Sequence, residues 1–333
     1  MGLIFKKTHP EIFQGTIRKR FYFEGWYFKI VDATGENIFA LIPGVALNKK
    51  LNSSHAFIQI LNGKTAEYNY LRFPLSEFYA EKDKFMITVG NNQFSRNDIH
   101  LDIDSPIPIK GDLEFSDFTL LERSIINPGV MGPFTWLPFM ETKHGVLSMN
   151  HTIQGILQIQ DKNINFSNGK GYIEKDWGTS FPSNWIWMQS NHFNDANKSF
   201  MFSMAKIRYL GWKFTGFLGV LSTTDEIIRF GTYTRAKIHN LVITPTSITF
   251  EIRTKRDILK ITAQKSMDAT GSSKTAQMLA PERGEMSAKC LESISSTIHI
   301  THSKIHHGKK EIVFEDIGVN SGLEIMGTRD DFF

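Results

Sequence analysis

Short runs of β-branched and aromatic residues recur along almost the whole chain, and this pattern restricts its fold more than any other feature. Each run is bounded by Gly, Asn, Asp or Pro, as expected for strands that end in turns. Long amphipathic helical patterns are scarce, which argues against a doubly wound α/β fold. The sequence therefore predicts an all-β, antiparallel protein. The predicted strands are FYFEGWYFKI (21–30), NIFALIPGV (37–45), HAFIQIL (55–61), FMITVG (85–90), HLDIDS (100–105), GDLEFSDF (111–118), HTIQGILQIQ (151–160), FMFSMAKI (200–207), GFLGVLST (216–223), SITFEIRT (247–254) and ILKITAQ (258–264).

The number of strands and the chain length together favour two β units, built as sheets or as barrels. Many antiparallel strands in one chain usually close into barrels or sandwiches, because closure removes or protects exposed edges. At 333 residues the chain exceeds a common single-domain length. We expect an N-terminal β domain at 1–155 and a C-terminal β domain at 156–333, with an approximate boundary. The polar segment 266–289 is predicted to be a long loop.

Composition excludes several classes of protein. The chain is 41% hydrophobic and 22% charged, which is ordinary for a globular protein with a sizeable core. Its net charge of +4 comes from scattered basic residues, so nucleic acid is not an expected partner. The single cysteine, Cys290, excludes an intramolecular disulfide and a site with several thiolate ligands.

Targeting and membrane-spanning signals are not evident in the sequence. The N-terminal stretch MGLIFKKTHP lacks the apolar core of a signal peptide. The most apolar run, at 130–140, is interrupted by Gly, Thr and two prolines, and it is shorter than the roughly 20 residues of a spanning helix. We therefore expect a cytoplasmic protein.

Residues 171–191, GYIEKDWGTSFPSNWIWMQSN, combine carboxylates, tryptophans and amides in one stretch. If the first part is a strand, its period of two places Tyr172, Glu174 and Asp176 on one face. Carboxylates beside apolar surface make sense as acids, because desolvation raises a carboxyl pKa. The opposing interpretation is that Glu174 and Asp176 simply face water.

The second part of this stretch resumes after a break at 180–183, and the two parts together have the size of a hairpin. Trp185, Trp187, Gln189 and Asn191 then share a face. Aromatic faces stabilise cations, whereas amides bind polar substrate groups. Tryptophans on strands more commonly serve in core packing, and that alternative remains open.

Residues 21–30 form a second cluster, in which Glu24, Trp26 and Phe28 fall on one face and Gly25 on the other. A glycine within a strand often marks a bulge or a close backbone approach. The alternative interpretation is an aromatic core strand that carries one solvated carboxylate.

Two histidines, His144 and His151, follow Glu141 and resemble a metal site superficially. Their odd separation places them on opposite faces of a strand. Because the HExxH spacing is also absent, no metal site is predicted. The sequence also lacks the nucleophile elbow of serine hydrolases and the phosphate-binding loop of nucleotide-driven enzymes.

Several of these stretches together resemble the tocopherol cyclase family, over most of the chain. That resemblance implies a lipocalin-related fold of two barrel-like units. It also implies an enzyme that closes a prenylated quinol to a chromanol ring without redox change or cofactor. The matching stretches are FEGWYFK (23–29), PG (43–44), HAFIQI (55–60), PGVMGPFTWLPFMETKHGVLSMNH (128–151), GKGYIEKDWGTSFPSNWIWMQSNHF (169–193) and, more loosely, GWKFTGFLG (211–219) and SGLEIMG (321–327).

Such a cyclisation needs a proton for an alkene, a protected tertiary cation and a phenolic oxygen that captures it. Under this resemblance Asp176 is the first candidate for the acid, followed by Glu174 and then Glu24. Tryptophans would surround the cation, and polar side chains would bind the quinol oxygens. The candidate substrate-binding residues are Trp26, Tyr172, Trp185, Trp187, Gln189 and Asn191.

Alternative functions remain open at this point. A related chemistry is hydration of an alkene in a carotenoid or another terpenoid, because water can capture the same cation. A non-catalytic carrier of an apolar isoprenoid would need a similar aromatic pocket. Glycan hydrolysis by Glu174 and Asp176 is a third alternative. An apolar substrate would come from a bilayer, so we also expect weak peripheral membrane contact, which a slight basic excess favours. The sequence leaves the oligomeric state open.

Overall fold

Antiparallel strands dominate the computed structural model, which describes residues 3–333, with side chains from residue 4 onward. Met1 and Gly2 of the N-terminal stretch lie outside the described residues. The all-β, lipocalin-like fold predicted from the sequence is confirmed. The described helices are short: α1 (Leu3–Thr8), α2 (Arg329–Phe332) and the 3-10 turns η1 (Leu75–Glu77), η2 (Gly132–Trp136) and η3 (Thr232–Thr234). Within residues 3–333, no helix is both long and apolar enough to cross a membrane.

The first sheet has the strand order β4-β3-β2-β1-β12-β10-β9-β8-β7-β6-β5, with β11 on β10. Its strands are β1 (Phe21–Val31), β2 (Ile38–Asn48), β3 (His55–Asn62), β4 (Tyr68–Phe73), β5 (Phe78–Ala80), β6 (Met86–Val89), β7 (Asn92–Ser95), β8 (Asp98–Ile103), β9 (Ile109–Thr119), β10 (Thr142–Ile159), β11 (Lys162–Asn165) and β12 (Gly169–Gly178). The edge strands β4 and β5 are neighbours in sequence, separated by η1. The sheet therefore curls into a nearly closed barrel.

The second sheet has the order β16-β15-β14-β13-β22-β21-β19-β18-β17, with β20 on β21. Its strands are β13 (Trp185–Ser190), β14 (Ser199–Tyr209), β15 (Trp212–Ser222), β16 (Ile227–Gly231), β17 (Lys237–Ile243), β18 (Ser247–Arg253), β19 (Asp257–Gln264), β20 (Ala276–Glu282), β21 (Glu285–His306) and β22 (Lys309–Met326). Here too the edge strands β16 and β17 follow each other along the chain.

Phenylalanine rings pack in the hydrophobic core of each unit. In the first unit Phe28 packs against Phe94, with ring centroids 5.6 Å apart. In the second, Phe202 packs against Phe250 at 4.6 Å. The phenylalanine-rich composition therefore supplies two separate cores.

The chain divides into two compact units, each made of two separate stretches of sequence. The first comprises 1–181 with 278–289, and the second comprises 182–277 with 290–333. The boundary expected at residue 155 falls inside β10, a single long strand that pairs with β12 and β9 of the first sheet. Division occurs instead between 181 and 182.

The polar segment 266–289 was expected to be a loop, but much of it is strand. Residues 276–282 form β20, and β21 begins at Glu285. Between them Arg283 and Gly284 adopt positive φ angles of 48° and 74°, which makes a tight turn. The strand escaped notice because its polar and small residues lack β-branched character.

Candidate active site

Strand β12 divides its side chains between two chemically different surfaces. Ile173 and Trp177 join the core of the first unit. Tyr172, Glu174 and Asp176 point to the opposite face, as the period-two pattern predicted. Tyr172 and Glu174 are nevertheless buried, with 0% and 4% of their surface exposed.

The neighbouring strand β10 brings a histidine to this face, because His144 pairs directly with Asp176. His144 Nδ1 lies 2.9 Å from Asp176 Oδ1, and His144 Nε2 lies 3.4 Å from Glu174 Oε2. Tyr172 donates a hydrogen bond of 2.5 Å to Glu174 Oε2. One imidazole is thus held between two carboxylates, with a phenol behind the inner one.

This arrangement determines the protonation state of His144. Burial alone would lower the pKa of the imidazole, but the charges of Asp176 and Glu174 raise that pKa well above its ordinary value. Burial also raises the pKa of Tyr172, and Glu174 raises it further, so the phenol keeps its proton. The cluster therefore stores a proton at neutral pH. Of the two carboxylates, Asp176 is the more exposed, with 24% of its side chain accessible against 6% for Glu174.

Two glycines continue the row of paired residues beyond Asp176. Gly25 pairs with Asp176, and Gly44 pairs with Gly25. The Phe57 ring lies over both glycines: an added Cβ would approach its Cζ to 2.5 Å at Gly44 and 3.7 Å at Gly25. Phe57 in turn stacks on Tyr70, with centroids 5.5 Å apart. Because neither glycine has a side chain, the Phe57 ring can pack against the face of the sheet that carries Asp176.

The structure does not bring Glu24 and Trp26 to this face. In the pairing of β1 with β12, Glu24 lies opposite Trp177 and Trp26 lies opposite Lys175, so both point towards the core. Glu24 is fully buried, and its Oε1 lies 2.5 Å from Lys175 Nζ. Their face could not be read from either strand alone, because it depends on the register between two distant segments.

The Glu24 carboxylate is already fully engaged in holding the N-terminal segment. It accepts hydrogen bonds from the backbone of Gln14 at 2.8 Å and Gly15 at 3.0 Å, and one from the Tyr22 hydroxyl. Lys175 donates to the carbonyls of Pro10 and Ile12 at 2.6 and 2.5 Å. Through these contacts Glu24 and Lys175 tie the N-terminal segment to β1 and β12; the candidacy of Glu24 as an acid stays a prediction.

Lys175 itself lies among aromatic rings. Its Nζ is 4.5 Å from the centroid of Trp26 and 5.1 Å from that of Trp177. Burial lowers the pKa of Lys175 to about 8, although Glu24 acts in the opposite direction. Trp26 also donates from Nε1 to the Glu11 carbonyl at 2.9 Å. The Trp26 ring, which was expected to stabilise a substrate cation, therefore contacts the ammonium group of Lys175 instead.

The remaining candidates belong to the second sheet. The hairpin expected from residues 171–191 does not form, because β12 pairs with β1 and β10, whereas β13 pairs with β14 and β22. The linking residues carry the chain out of the first sheet: Thr179 N bonds to the Glu141 carbonyl and Phe181 N to that of Pro281.

On β13 Trp185, Trp187 and Gln189 share a face, as the sequence predicted, while Ile186 and Met188 face the core; Asn191 follows the end of the strand. Trp185 donates from Nε1 to Glu324. Trp187 lies over Gly322, where a Cβ would come within 2.4 Å of the indole. Gln189 and Asn191 are buried, with 0% and 1% exposed.

Sequence reasoning missed His144 and Phe57 as members of the site. His144 was discounted for its wrong spacing to His151, and the two do lie on opposite faces, as predicted. His151 sits on the core side against the Phe115 ring, 4.6 Å away, and burial lowers its pKa to about 3. The available signal was that 128–151 and 169–193 are both family-like stretches, whose antiparallel pairing would juxtapose His144 and Asp176.

The same three side chains are the group that could hold a metal ion. Ligand atoms of His144, Glu174 and Asp176 all lie within 4.8 Å of one another. Among the described residues, these three side chains form the group with the geometry of a metal site. One imidazole and two carboxylates are a donor set that a divalent cation accepts. The sequence-based expectation of no metal stays a prediction.

Comparison with known proteins gives the cluster a family context. The tocopherol cyclase-like family matches residues 124–327, which contain His144, Glu174 and Asp176. A probable chloroplastic tocopherol cyclase from Oryza sativa subsp. japonica is 32% identical over 65 residues. That match covers 19% of this chain and 14% of the rice protein, so it spans only a small part of that relative's length.

Solved structures show the same fold at low identity. CghA in complex with Sch210972 has a TM-score of 0.57 and 9% identity, covering 93% of this chain and 89% of CghA. A putative AttH from Nitrosomonas europaea has a TM-score of 0.52 and 12% identity, covering 91% and 92%. These likenesses establish the architecture, and the family match, which extends over more than half of the 333 residues, establishes the kinship. The chain belongs to the tocopherol cyclase-like family.

Proposed function

We propose that this protein is a cofactor-independent cyclase that protonates an alkene of an apolar isoprenoid, with a prenylated quinol as the substrate class. The observation that carries the proposal is the imidazole of His144 held between Asp176 and Glu174 on a largely buried face. Membership of the tocopherol cyclase-like family supports the reaction class.

Asp176 is the proposed acid, and His144 is its proton source. When an apolar substrate displaces water, the neutral form of a carboxyl group becomes favoured. A proton then moves from His144 Nδ1 to Asp176 across the 2.9 Å contact and on to the alkene carbon. Glu174 positions the imidazole from the other side, and Tyr172 donates its hydrogen bond to Glu174.

The tertiary cation formed in this step needs a wall that excludes water. Phe57 lies on the same face of the sheet as Asp176, and its π face can stabilise a cation. The phenolic oxygen of the substrate then forms the C–O bond, and its proton returns to the Asp176 carboxylate. Proton and electrons balance without a redox partner. Capture by water instead would give the hydrated product.

A carrier function is the second candidate, and it requires a cavity that can hold an apolar ligand. A lipocalin-type ligand inside the first barrel would have to displace the rings of Trp26, Phe28 and Phe94, which are fully buried there. Glycan hydrolysis fits poorly, because Glu174 and Asp176 converge on one imidazole rather than facing each other across a sugar bond.

The test is turnover of prenylated quinols, carotenoids and other terpenoids by the purified protein, followed by mass spectrometry of the products. We expect conversion of at least one prenylated quinol to an isomer of equal mass, or to a product heavier by one water. Activity that survives a chelator supports the metal-free mechanism, whereas its loss and recovery with a divalent cation would assign the cluster to a metal. Tight binding without conversion would favour the carrier.

A further inference from the structure

An exposed apolar group lies on the segment that connects β9 to β10. Ile125 is 73% exposed, Ile126 is 72% exposed and Phe139 is 83% exposed. Among described residues of the first unit, these are the three most exposed large apolar side chains. Single exposed apolar residues are common, whereas several on one connection make it a candidate interaction surface.

Hydrogen bonds give this connection a defined conformation. Trp136 donates from Nε1 to the Ile125 carbonyl at 2.8 Å, which joins two positions of the segment that are 11 residues apart. Lys143 and Lys7 both donate to the Thr135 carbonyl, at 2.7 and 3.1 Å. The apolar side chains are therefore presented by a structured loop, with the amino groups of two lysines behind it.

A cavity of about 520 Å³ adjoins the same loop. Its lining includes Ile125, Leu120, Glu11, Arg96 and Arg123. Glu11 lies 3.3 Å from Arg96 and 2.6 Å from Arg123, so one carboxylate serves two guanidinium groups. The charged group thus has an excess of one positive charge.

Arg96 also has a hydrogen-bond donor that is not used within the described residues. Its Nε is buried and has no hydrogen-bond partner among the described residues. Guanidinium donors suit phosphate oxygens, which they can bind in pairs. Ile125 lines the cavity and is also exposed to solvent. An anionic group bound beside Arg96 would therefore lie next to exposed apolar surface.

We propose that this surface, Ile125, Ile126 and Phe139 together with the Arg96–Arg123 cavity, docks the protein on an anionic phospholipid bilayer. The phosphate of a lipid headgroup would enter the cavity, and the three apolar side chains would enter the acyl boundary. This combination of basic and apolar contacts is what interfacial binding requires. The proposal is independent of the chemistry at Asp176.

The experiment is flotation with vesicles of phosphatidylcholine alone and with vesicles that contain equal parts phosphatidylglycerol. We expect retention on the anionic vesicles, and salt should weaken it because exposed charges are screened. Replacing Ile125 and Ile126 together by Asp should lower retention by about tenfold or more, since two apolar side chains leave the bilayer. Arg96→Gln should abolish the preference for anionic vesicles.

Matched controls separate this surface from general stickiness. Leu51→Asp changes an apolar residue of the first unit that is 59% exposed, and Arg253→Gln removes an arginine from an exposed ion pair. Both should float as the unmodified protein does. Failure of the unmodified protein to float at low salt, or equal flotation of the Ile125/Ile126 variant, would overturn the proposal. Thermal stabilisation by inorganic phosphate without vesicle binding would overturn it in favour of a soluble anion.

Discussion

His144 and Asp176 are direct partners in the pairing of β10 with β12, and their side chains meet at 2.9 Å. This contact makes a test possible that distinguishes the acid from its support. Asp176→Asn preserves shape but removes the transferable proton, so turnover should fall by about 10²–10⁴ while the Kd of a substrate analogue changes little. Single-turnover kinetics and equilibrium binding measure the two effects.

A second histidine–aspartate pair serves as the control for this variant. His100 Nδ1 lies 2.7 Å from Asp112 Oδ1 in an exposed position. Asp112→Asn should leave turnover unchanged. If Asp176→Asn and Glu174→Gln both turn over normally, the acid is a different residue.

The raised pKa of His144 predicts a pH-dependent contribution to stability. A group whose pKa rises on folding stabilises the protein below its unfolded pKa, about 6.5, and this contribution is lost as pH rises through the folded pKa. The stability difference between the unmodified protein and His144→Gln should therefore be largest near pH 6 and shrink at alkaline pH. Urea unfolding across this range measures it, with His100→Gln as the control. A difference independent of pH would contradict the ion-pair account.

His151 predicts the opposite dependence. Its pKa is lowered to about 3 by burial, so the unfolded chain binds a proton between pH 6.5 and 3 that the folded chain does not. As the pH is lowered through this window, His151 should reduce the free energy of unfolding by up to about 1.4 kcal/mol per pH unit. His151→Gln should flatten the acid limb, whereas His299→Gln, at an exposed site, should not. An unchanged acid limb would show that His151 becomes protonated within the fold.

The pair of Glu24 and Lys175 predicts a loss of stability without a loss of chemistry. Lys175→Met leaves the fully buried Glu24 carboxylate without its counter-charge, which should cost about 3–5 kcal/mol in denaturant unfolding. The double variant with Glu24→Gln should cost less than the sum of the single changes. Glu24→Gln that remains folded should keep its turnover per active molecule; a loss comparable to Asp176→Asn would place Glu24 in the reaction.

Local periodicity predicted which residues of β12 share a face in the candidate site, whereas the pairing between strands determined which other residues join them. The shared face of Tyr172, Glu174 and Asp176 followed from the alternation within one strand. The separation of Glu24 from Asp176 did not, because it depends on which residue of β1 pairs with which residue of β12, about 150 positions away. The same limitation concealed His144.

The break at 180–183 shows a similar limit for the fold. Gly, Pro and Ser indicated correctly that a strand ends there, but a chain can leave a strand by reversing or by passing to another sheet. Which of these occurs is set by nonlocal bonds, such as that of Phe181 to Pro281, a hundred residues away. The two halves of 171–191 were therefore recognised as strands but joined incorrectly.

The return of residues 278–289 to the first unit has a consequence for synthesis on the ribosome. There Tyr68 Oη accepts from Leu279 N, and the turn at Gly284 lies against Leu47. When residue 181 of a nascent chain has left the ribosome, residues 278–289 have not yet been synthesised, so these contacts cannot form. They form only after most of the second unit has emerged. The two units are thus expected to mature together late in translation, and chains arrested between 182 and 277 should remain sensitive to protease in the first unit.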